Sequence, residues 1–224
     1  MIIIVNTIQK YSGTYTGGKM KIYFLSSNKF KIQEVQSILN STDIDVLAVS
    51  SKINEIQSDN MQEIAMDKVL KAFKEIGRPI LVEQTGLLIK DFGNLPGGLT
   101  QIFWDSLQAD KFSEIFSKIG SSEVTAKTVL AFCNGKHIHT FEGTIDGHIV
   151  NPPRGNKDFQ WDCVFEPIGY NKTFAELVDE KNNIYLIDFE YSGFASPYWD
   201  YASLIAENNI PIDNPIICSL VQNQ

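Results

Sequence analysis

The chain has only three cysteines in 224 residues. Cys133, Cys163 and Cys218 are scattered and odd in number, which argues against a disulfide framework and for a reducing, cytoplasmic setting. No apolar run is long enough to cross a bilayer, so no membrane partner is expected. The start, MIIIVNTIQK, has no basic flank and too short an apolar stretch for a secretory signal. Positive charge is scarce: 19 Lys and Arg face 27 Asp and Glu, a formal net charge of −8. That argues against nucleic acid as a partner, although a nucleotide needs only a local cluster of lysines. No glycine-rich loop ends in Gly-Lys-Ser/Thr, which rules out a Walker loop. Histidines are few, and His137 and His139 share a strand face with no third ligand nearby. They read as solvated strand residues rather than a metal site.

What is present is ordinary for a globular protein: 43% hydrophobic and 21% charged residues. One domain with an appendage fits this length. Residues 1–19 end in a Gly-, Ser- and Thr-rich stretch and read as a flexible extension. Lys21 to Leu25 reads as a first strand. It runs into Ser26-Ser27-Asn28-Lys29-Phe30-Lys31 and a helix whose apolar face is Ile32, Val35, Ile38 and Leu39. Small polar residues at that junction serve either as a plain helix cap or as an anion site of free N–H groups beside Lys29 and Lys31.

Asp45 to Val49 reads as a second strand, with Glu55 in the loop after it. Met61 to Phe73 reads as a helix with Met61, Ile64, Ala65, Val69, Ala72 and Phe73 on one face. Lys68 lies in or beside that stripe. Its tip either snorkels to water or reaches a cleft. A third helix is expected from about Ser106 to Ile119. Thr125 to Cys133 reads as a strand, Asn134-Gly135 as a hairpin turn, and His137 to Glu142 and Thr144 to Val150 as two further runs.

The central stretch, Arg78 to Gly98, is RPILVEQTGLLIKDFGNLPGG. Its apolar start marks a buried strand, interrupted by Glu83 and Gln84, which as strand neighbours point to opposite faces. A carboxylate there is costly unless paired or bound to a cation. Glu83 is therefore either a satisfied core residue or part of a polar site. Asp158 to Pro167 alternates aromatic and polar residues. Phe159 and Trp161 would stack on a flat ring with Asp162 reading its edge, or the segment is a half-buried aromatic strand.

The order of motifs separates these readings. SSNKFK, PILVEQTGLLI…LPGG, FEGTIDGHIVNPPRG and FQWDCVFEPIGYNKTFAEL…EKN follow one another from about Lys21 to Asn182. Together they resemble the inosine triphosphate pyrophosphatase family, the Ham1-like proteins. The resemblance implies an α/β fold: a long bent mixed sheet flanked by helices, two lobes and a nucleotide cleft. It implies hydrolysis of ITP, dITP and XTP to monophosphate and pyrophosphate with Mg²⁺, by a homodimer. By position Ser26, Ser27, Asn28, Lys31 and Lys68 would hold phosphates, and Thr85 would line the substrate site beside Glu83. Glu55 and position 84 would hold the metal. Phe159, Gln160, Trp161 and Asp162 fall at the base-binding segment, with Lys181 at the family's Lys-Asn. Glu83, Gln84 and Lys31 would carry catalysis.

Three departures from the family pattern matter. Gln84 replaces an Asp, and an amide takes no proton and is a poor magnesium ligand beside a carboxylate. Gln160 replaces a Gly close to the base. Tyr185, Leu186 and Ile187 stand where a Ser-His-Arg is expected. A degenerate nucleotide-binding protein of the same fold is therefore the competing expectation. Residues 183–224 instead resemble a fragment of choline/ethanolamine kinase, with Asp188 and Trp199-Asp200 at that family's motif positions. The expected division is thus 1–19, 20–182 and 183–224.

Overall fold

Alternating apolar residues build a mixed sheet whose two faces need different covers. A computed structural model describes residues 20–39, 44–118, 123–158 and 160–181. Residues 1–19, expected to be an extension, and 183–224, expected to be a kinase-like fragment, lie outside the described residues. The sheet contains β1 (Met20–Leu25), β2 (Ile44–Val49), β3 (Ile80–Ile89), β4 (Pro96–Gly97), β5 (Glu123–Cys133), β6 (Ile138–Ile149) and β7 (Phe165–Pro167). Its order is β2-β1-β3-β5-β6-β7, with β4 beside β3. β1 runs parallel to both β2 and β3, and the remaining pairings are antiparallel.

The period of two sorts the side chains. Ile22 and Phe24 of β1, Leu81 of β3, and Leu130 and Phe132 of β5 pack with Val35 and Leu39 of helix α1 (Lys29–Leu39). Leu25, Ile80, Val82, Val129 and Ala131 face the other way, onto Met61, Ala65, Val69 and Ala72 of helix α2 (Met61–Ile76). α2 begins where Asn60 accepts hydrogen bonds from the N–H groups of Gln62 and Glu63. It ends at Gly77, whose φ of 65° is the left-handed turn that closes a helix. The far end of the sheet carries a third core: Trp104, Phe112 and Phe116 of helix α3 (Thr100–Phe116), Trp161, Phe165, and Phe174 and Leu177 of helix α4 (Phe174–Lys181).

Three sequence expectations change. β6 is one continuous strand, not two runs: Gly143 stays in the ladder opposite Thr128. α3 starts at Thr100, six residues before the expected start, and breaks at Gln108, whose φ of 56° is non-helical. The stretch after Asp158 is not an aromatic strand. Gln160–Cys163 forms a turn of 3-10 helix, and only Phe165–Pro167 pairs with β6.

One glycine is dictated by packing. A Cβ on Gly86 would lie 2.2 Å from the Gly97 carbonyl oxygen, so only glycine lets β4 cross β3 there. Beyond that crossing, Thr100 is pinned: its hydroxyl accepts the Leu87 N–H at 2.9 Å and donates to the Gly97 carbonyl at 2.6 Å. This fixes the start of α3 and hence the position of Gln101.

Candidate functional site

The site lies past the carboxyl end of β1, where ligands gather in parallel α/β sheets. A cavity of about 360 Å³ opens there. Its floor is the centre of β3, where Glu83, Gln84 and Thr85 follow one another. By the alternation of the strand Glu83 and Thr85 sit on the α1 face, with Leu81, and Gln84 on the α2 face, with Val82.

Glu83 is almost fully buried, with 5% of its side chain exposed, and its charge is met there. Lys31, from the first turn of α1, donates to Glu83 Oε1 at 2.9 Å. The Thr85 hydroxyl donates to the same oxygen and lies 2.9 Å from Thr128 Oγ1. The other face carries a second pair. Lys68 of α2 reaches Glu55 Oε1 at 2.6 Å and the Glu83 carbonyl oxygen at 3.3 Å. The apolar spacing of α2 leaves Lys68 flanking its buried stripe, with 15% of its side chain exposed and its tip in the cavity. Of the two fates open to that lysine, the structure shows the cleft.

The rim is built from the turn between β1 and α1. The Ser26 hydroxyl accepts the Asn28 N–H at 3.1 Å, and Asn28 Oδ1 accepts the Lys31 N–H at 3.4 Å. The segment thus caps its helix and also lines the cavity, together with Ser27. The two readings of it are compatible: a ligand anion can replace the Asn28 side chain at the helix N–H groups.

The opposite rim holds Gln160 and Gln101. The Gln160 amide nitrogen donates to Gln101 Oε1, tying the 3-10 turn to the start of α3. Among the described residues expected at the base, Gln160 alone reaches the cavity wall. Trp161, 3% exposed, is packed edge-on to Phe165 at 5.7 Å between ring centres. Asp162 is buried in the same turn. Phe159 and the Lys181 side chain are outside the described residues, although Lys181 ends α4.

Gln101 is the wall residue that sequence reasoning missed. It follows Leu-Pro-Gly-Gly by a few residues, and a helix start placed at Thr100 would have brought it forward. Lys52 is a second cavity residue with no motif to mark it.

Among the described residues no cluster of three or more His, Cys, Asp or Glu side chains forms a ready metal centre. The cavity donors are hard oxygens: the Glu55 and Glu83 carboxylates and the Gln84 amide. Such a set suits magnesium, which uses one or two carboxylates and completes its shell with phosphate and water. Three cationic lysines and two carboxylates in one polar cavity can hold a polyanion and a hard cation together.

The model of the Ham1 family matches residues 22–186. The chain is 37% identical over 175 residues to a protein of Puccinia graminis named inosine triphosphate pyrophosphatase, covering 74% of this chain and 90% of that one. It is 34% identical over 166 residues to a protein of Ignicoccus hospitalis named dITP/XTP pyrophosphatase, covering 71% of this chain and 86% of that one. A solved HAM1 protein from Coxiella burnetii superimposes with a TM-score of 0.64 at 25% identity, over 74% of this chain and 91% of that one.

Proposed function

The chain belongs to the Ham1 family, and on that premise we propose that it hydrolyses non-standard purine nucleoside triphosphates to the monophosphate and pyrophosphate. The observation that carries this reading is the pair of ion pairs, Lys31–Glu83 and Lys68–Glu55, in one cavity beside a helix N-terminus. Each lysine is held by a carboxylate that a phosphate can replace. Lys31 and Lys68 then bind phosphate oxygens, with the Ser26, Ser27 and Asn28 segment supplying N–H donors. Thr85 keeps Glu83 oriented while Lys31 turns to the ligand.

Water adds to the phosphorus next to the nucleoside, and the bond from that phosphorus to the bridging oxygen breaks. Glu83 is the carboxylate best placed to take the water's proton, since the Gln84 amide accepts none. Glu55 and Gln84, with Glu83, would hold the magnesium ion. When bound, that ion neutralises phosphate charge and polarises the phosphoryl oxygen. Residues 20–182 form the domain that does this, acting as a homodimer in the cytoplasm. The free, buried Cys133 and Cys163 fit a reducing compartment.

The test is pyrophosphate release from ITP, XTP and the four standard triphosphates with Mg²⁺, against a Lys68→Ala control. Release from ITP or XTP well above the control is expected, and none above it would overturn the proposal. Gln84 favours one alternative, a nucleotide-binding protein that has lost turnover. That alternative is distinguished by tight ITP binding without pyrophosphate release.

A further inference from the structure

The sheet parts at the cavity floor. Along one edge β3 pairs with β1 as far as Val82 and with β4 from Leu87, and between those pairings Glu83, Gln84 and Thr85 line the opening. Along its other edge β3 is met by β5, which sets Leu130 opposite Glu83 and Thr128 opposite Thr85. Thr128 is 2% exposed and stands behind the cavity lining, with Thr85 in front of it. Resting on the pyrophosphatase reading, we propose that Thr128 is a positioning residue for the hydrolysis. Its hydroxyl donates to Thr85, which holds the single Thr85 hydroxyl proton on Glu83 Oε1 and leaves Oε2 to meet the attacking water.

Chemistry fixes the direction of each hydrogen bond. A carboxylate facing a lysine only accepts. Thr85 has one hydroxyl proton, and Glu83 Oε1 takes it. The 2.9 Å contact between the Thr85 and Thr128 hydroxyls then runs with Thr128 as the donor. Across the sheet the neighbours of Thr128 are Thr85 and, on β6, Gly143, and a glycine brings no competing acceptor side chain. Leu130 likewise offers Glu83 no donor. Lys31 donates to the same Oε1 at 2.9 Å, and among the described residues no donor reaches Oε2.

This chain of hydroxyls matters most once ligand is bound. Lys31 then turns to phosphate, and Thr85 is the donor that stays on Oε1. A hydroxyl with no other partner rotates among its positions, whereas one whose lone pair is occupied by Thr128 keeps its proton on the carboxylate. Successive hydrogen bonds in such a chain also strengthen one another. With Oε1 held, Oε2 faces the water. It takes one water proton while the remaining O–H adds to phosphorus and the bridging oxygen leaves. Glu83 is the catalytic residue in this step, and Thr85 and Thr128 position it. The plain alternative is a cross-strand threonine pair that stabilises the sheet and nothing more. It predicts a lower melting temperature and an unchanged kcat when the Thr128 hydroxyl is removed.

The experiment measures kcat and KM for pyrophosphate release from ITP with Mg²⁺, with melting temperatures recorded in parallel. The proteins are the full chain, its Thr128→Val, Thr128→Ser and Thr85→Val variants, and the double valine variant. Valine keeps the shape and loses the hydroxyl, and serine keeps the hydroxyl. Hydrogen-bond partners standing behind a metal-holding group contribute about 10- to 100-fold in activity. Thr128→Val is expected to lower kcat about 10-fold, with KM within about twofold because Thr128 stands behind the lining. Thr128→Ser recovers most of the loss. The double variant is no slower than Thr85→Val, since Thr128 acts through Thr85. An unchanged kcat in Thr128→Val overturns the positioning role alone, whatever the melting temperature does. So does a serine variant as slow as the valine one, or a double variant whose loss is the product of the two single losses. Thr128→Ala repeats the measurement if valine does not fold. No release from the unaltered chain above the Lys68→Ala control overturns the pyrophosphatase reading itself and the positioning role with it.

Discussion

Replacing Lys31 by methionine tests the floor of the cavity. Glu83 has 5% of its side chain exposed, and Lys31, with 19%, is its cationic partner at 2.9 Å. Lys31→Met keeps the aliphatic stem and removes the charge. The carboxylate is then left in the sheet with the Thr85 hydroxyl as its donor. Removing one partner of a buried pair costs about 3–5 kcal/mol. The remaining hydroxyl and the open cavity place this case at the low end, about 3 kcal/mol. Glu83→Gln is far milder, because the amide keeps a hydrogen-bond acceptor and the lysine swings toward solvent. The double variant should match Glu83→Gln alone, giving a coupling of about 3 kcal/mol, the full cost of the lysine change and the upper end of the range for residues in direct contact. Urea unfolding of the four proteins at one pH reads these differences from the midpoints. If Lys31→Met costs less than about 1 kcal/mol, or the double variant is as unstable as the single lysine variant, Glu83 is not held as an ion.

Two other perturbations follow from the packing. Gly86→Ala drives a methyl group to within 2.2 Å of the Gly97 carbonyl oxygen and 2.8 Å of Met61 Sδ. It should lower stability by about 3 kcal/mol and weaken nucleotide binding through displacement of Gln101. Unfolding midpoints and inosine-analogue Kd check both effects, and an unchanged midpoint would refute the close crossing. Burial pushes the Cys163 thiol up to about 11 from an ordinary 9.0. The folded state therefore holds its proton where the unfolded chain releases it. This contribution to stability is intact below pH 9 and is lost as pH rises from 9 to 11. Cys163→Ala should flatten that alkaline limb of the stability profile, and an unchanged limb would show that the thiol does not set it.

Of the helices, α1 and α2 were the legible ones, whereas α3 began six residues earlier than its pattern shows. α2 could be read because Met61, Ile64, Ala65, Val69 and Ala72 repeat at helical spacing between Asn60 and Gly77. Period two also placed Glu83 and Gln84 on opposite faces, and the core clusters bear this out. β6 was cut in two because a glycine inside a strand resembles a turn signal, whereas β5 pairs through Gly143 along the whole strand. Trp161 stays open between a stacking surface and a strand residue, because the pattern shows only an aromatic beside polar residues. It does not show that Phe165 and Phe174 close around the ring. The contacts that make the site were not legible. Lys31 and Glu83 are 52 residues apart, and Gln101 and Gln160 are 59 apart. Their meeting depends on the parallel β1–β3 register and on the pinned start of α3, which no local pattern encodes.

Gln84→Asp brings the chemistry and the energetics to one test. In the folded protein four of the five cavity charges form two pairs, Lys31 with Glu83 and Lys68 with Glu55. A carboxylate at position 84 enters the face whose lysine, Lys68, is already paired. It lies on the α2 face, on the same side as Lys68, and competes with Glu55 for that lysine. The ligand-free variant should therefore be less stable than the parent by about 1 kcal/mol, the scale of a like charge added near a partly exposed pair. The same carboxylate adds a proton acceptor and a strong hard-cation ligand. Turnover of ITP should rise by about 10²-fold, the lower end of what a positioned acid–base group contributes. Magnesium binds the native state more tightly when a third carboxylate is present, so it should raise the melting temperature of the variant more than that of the parent. The two effects have opposite signs without and with metal, which a simple packing defect does not produce. A variant as stable as the parent, no more active and no more responsive to Mg²⁺ would refute a metal role for position 84. It would leave Glu55 and Glu83 as the carboxylates on which the site depends.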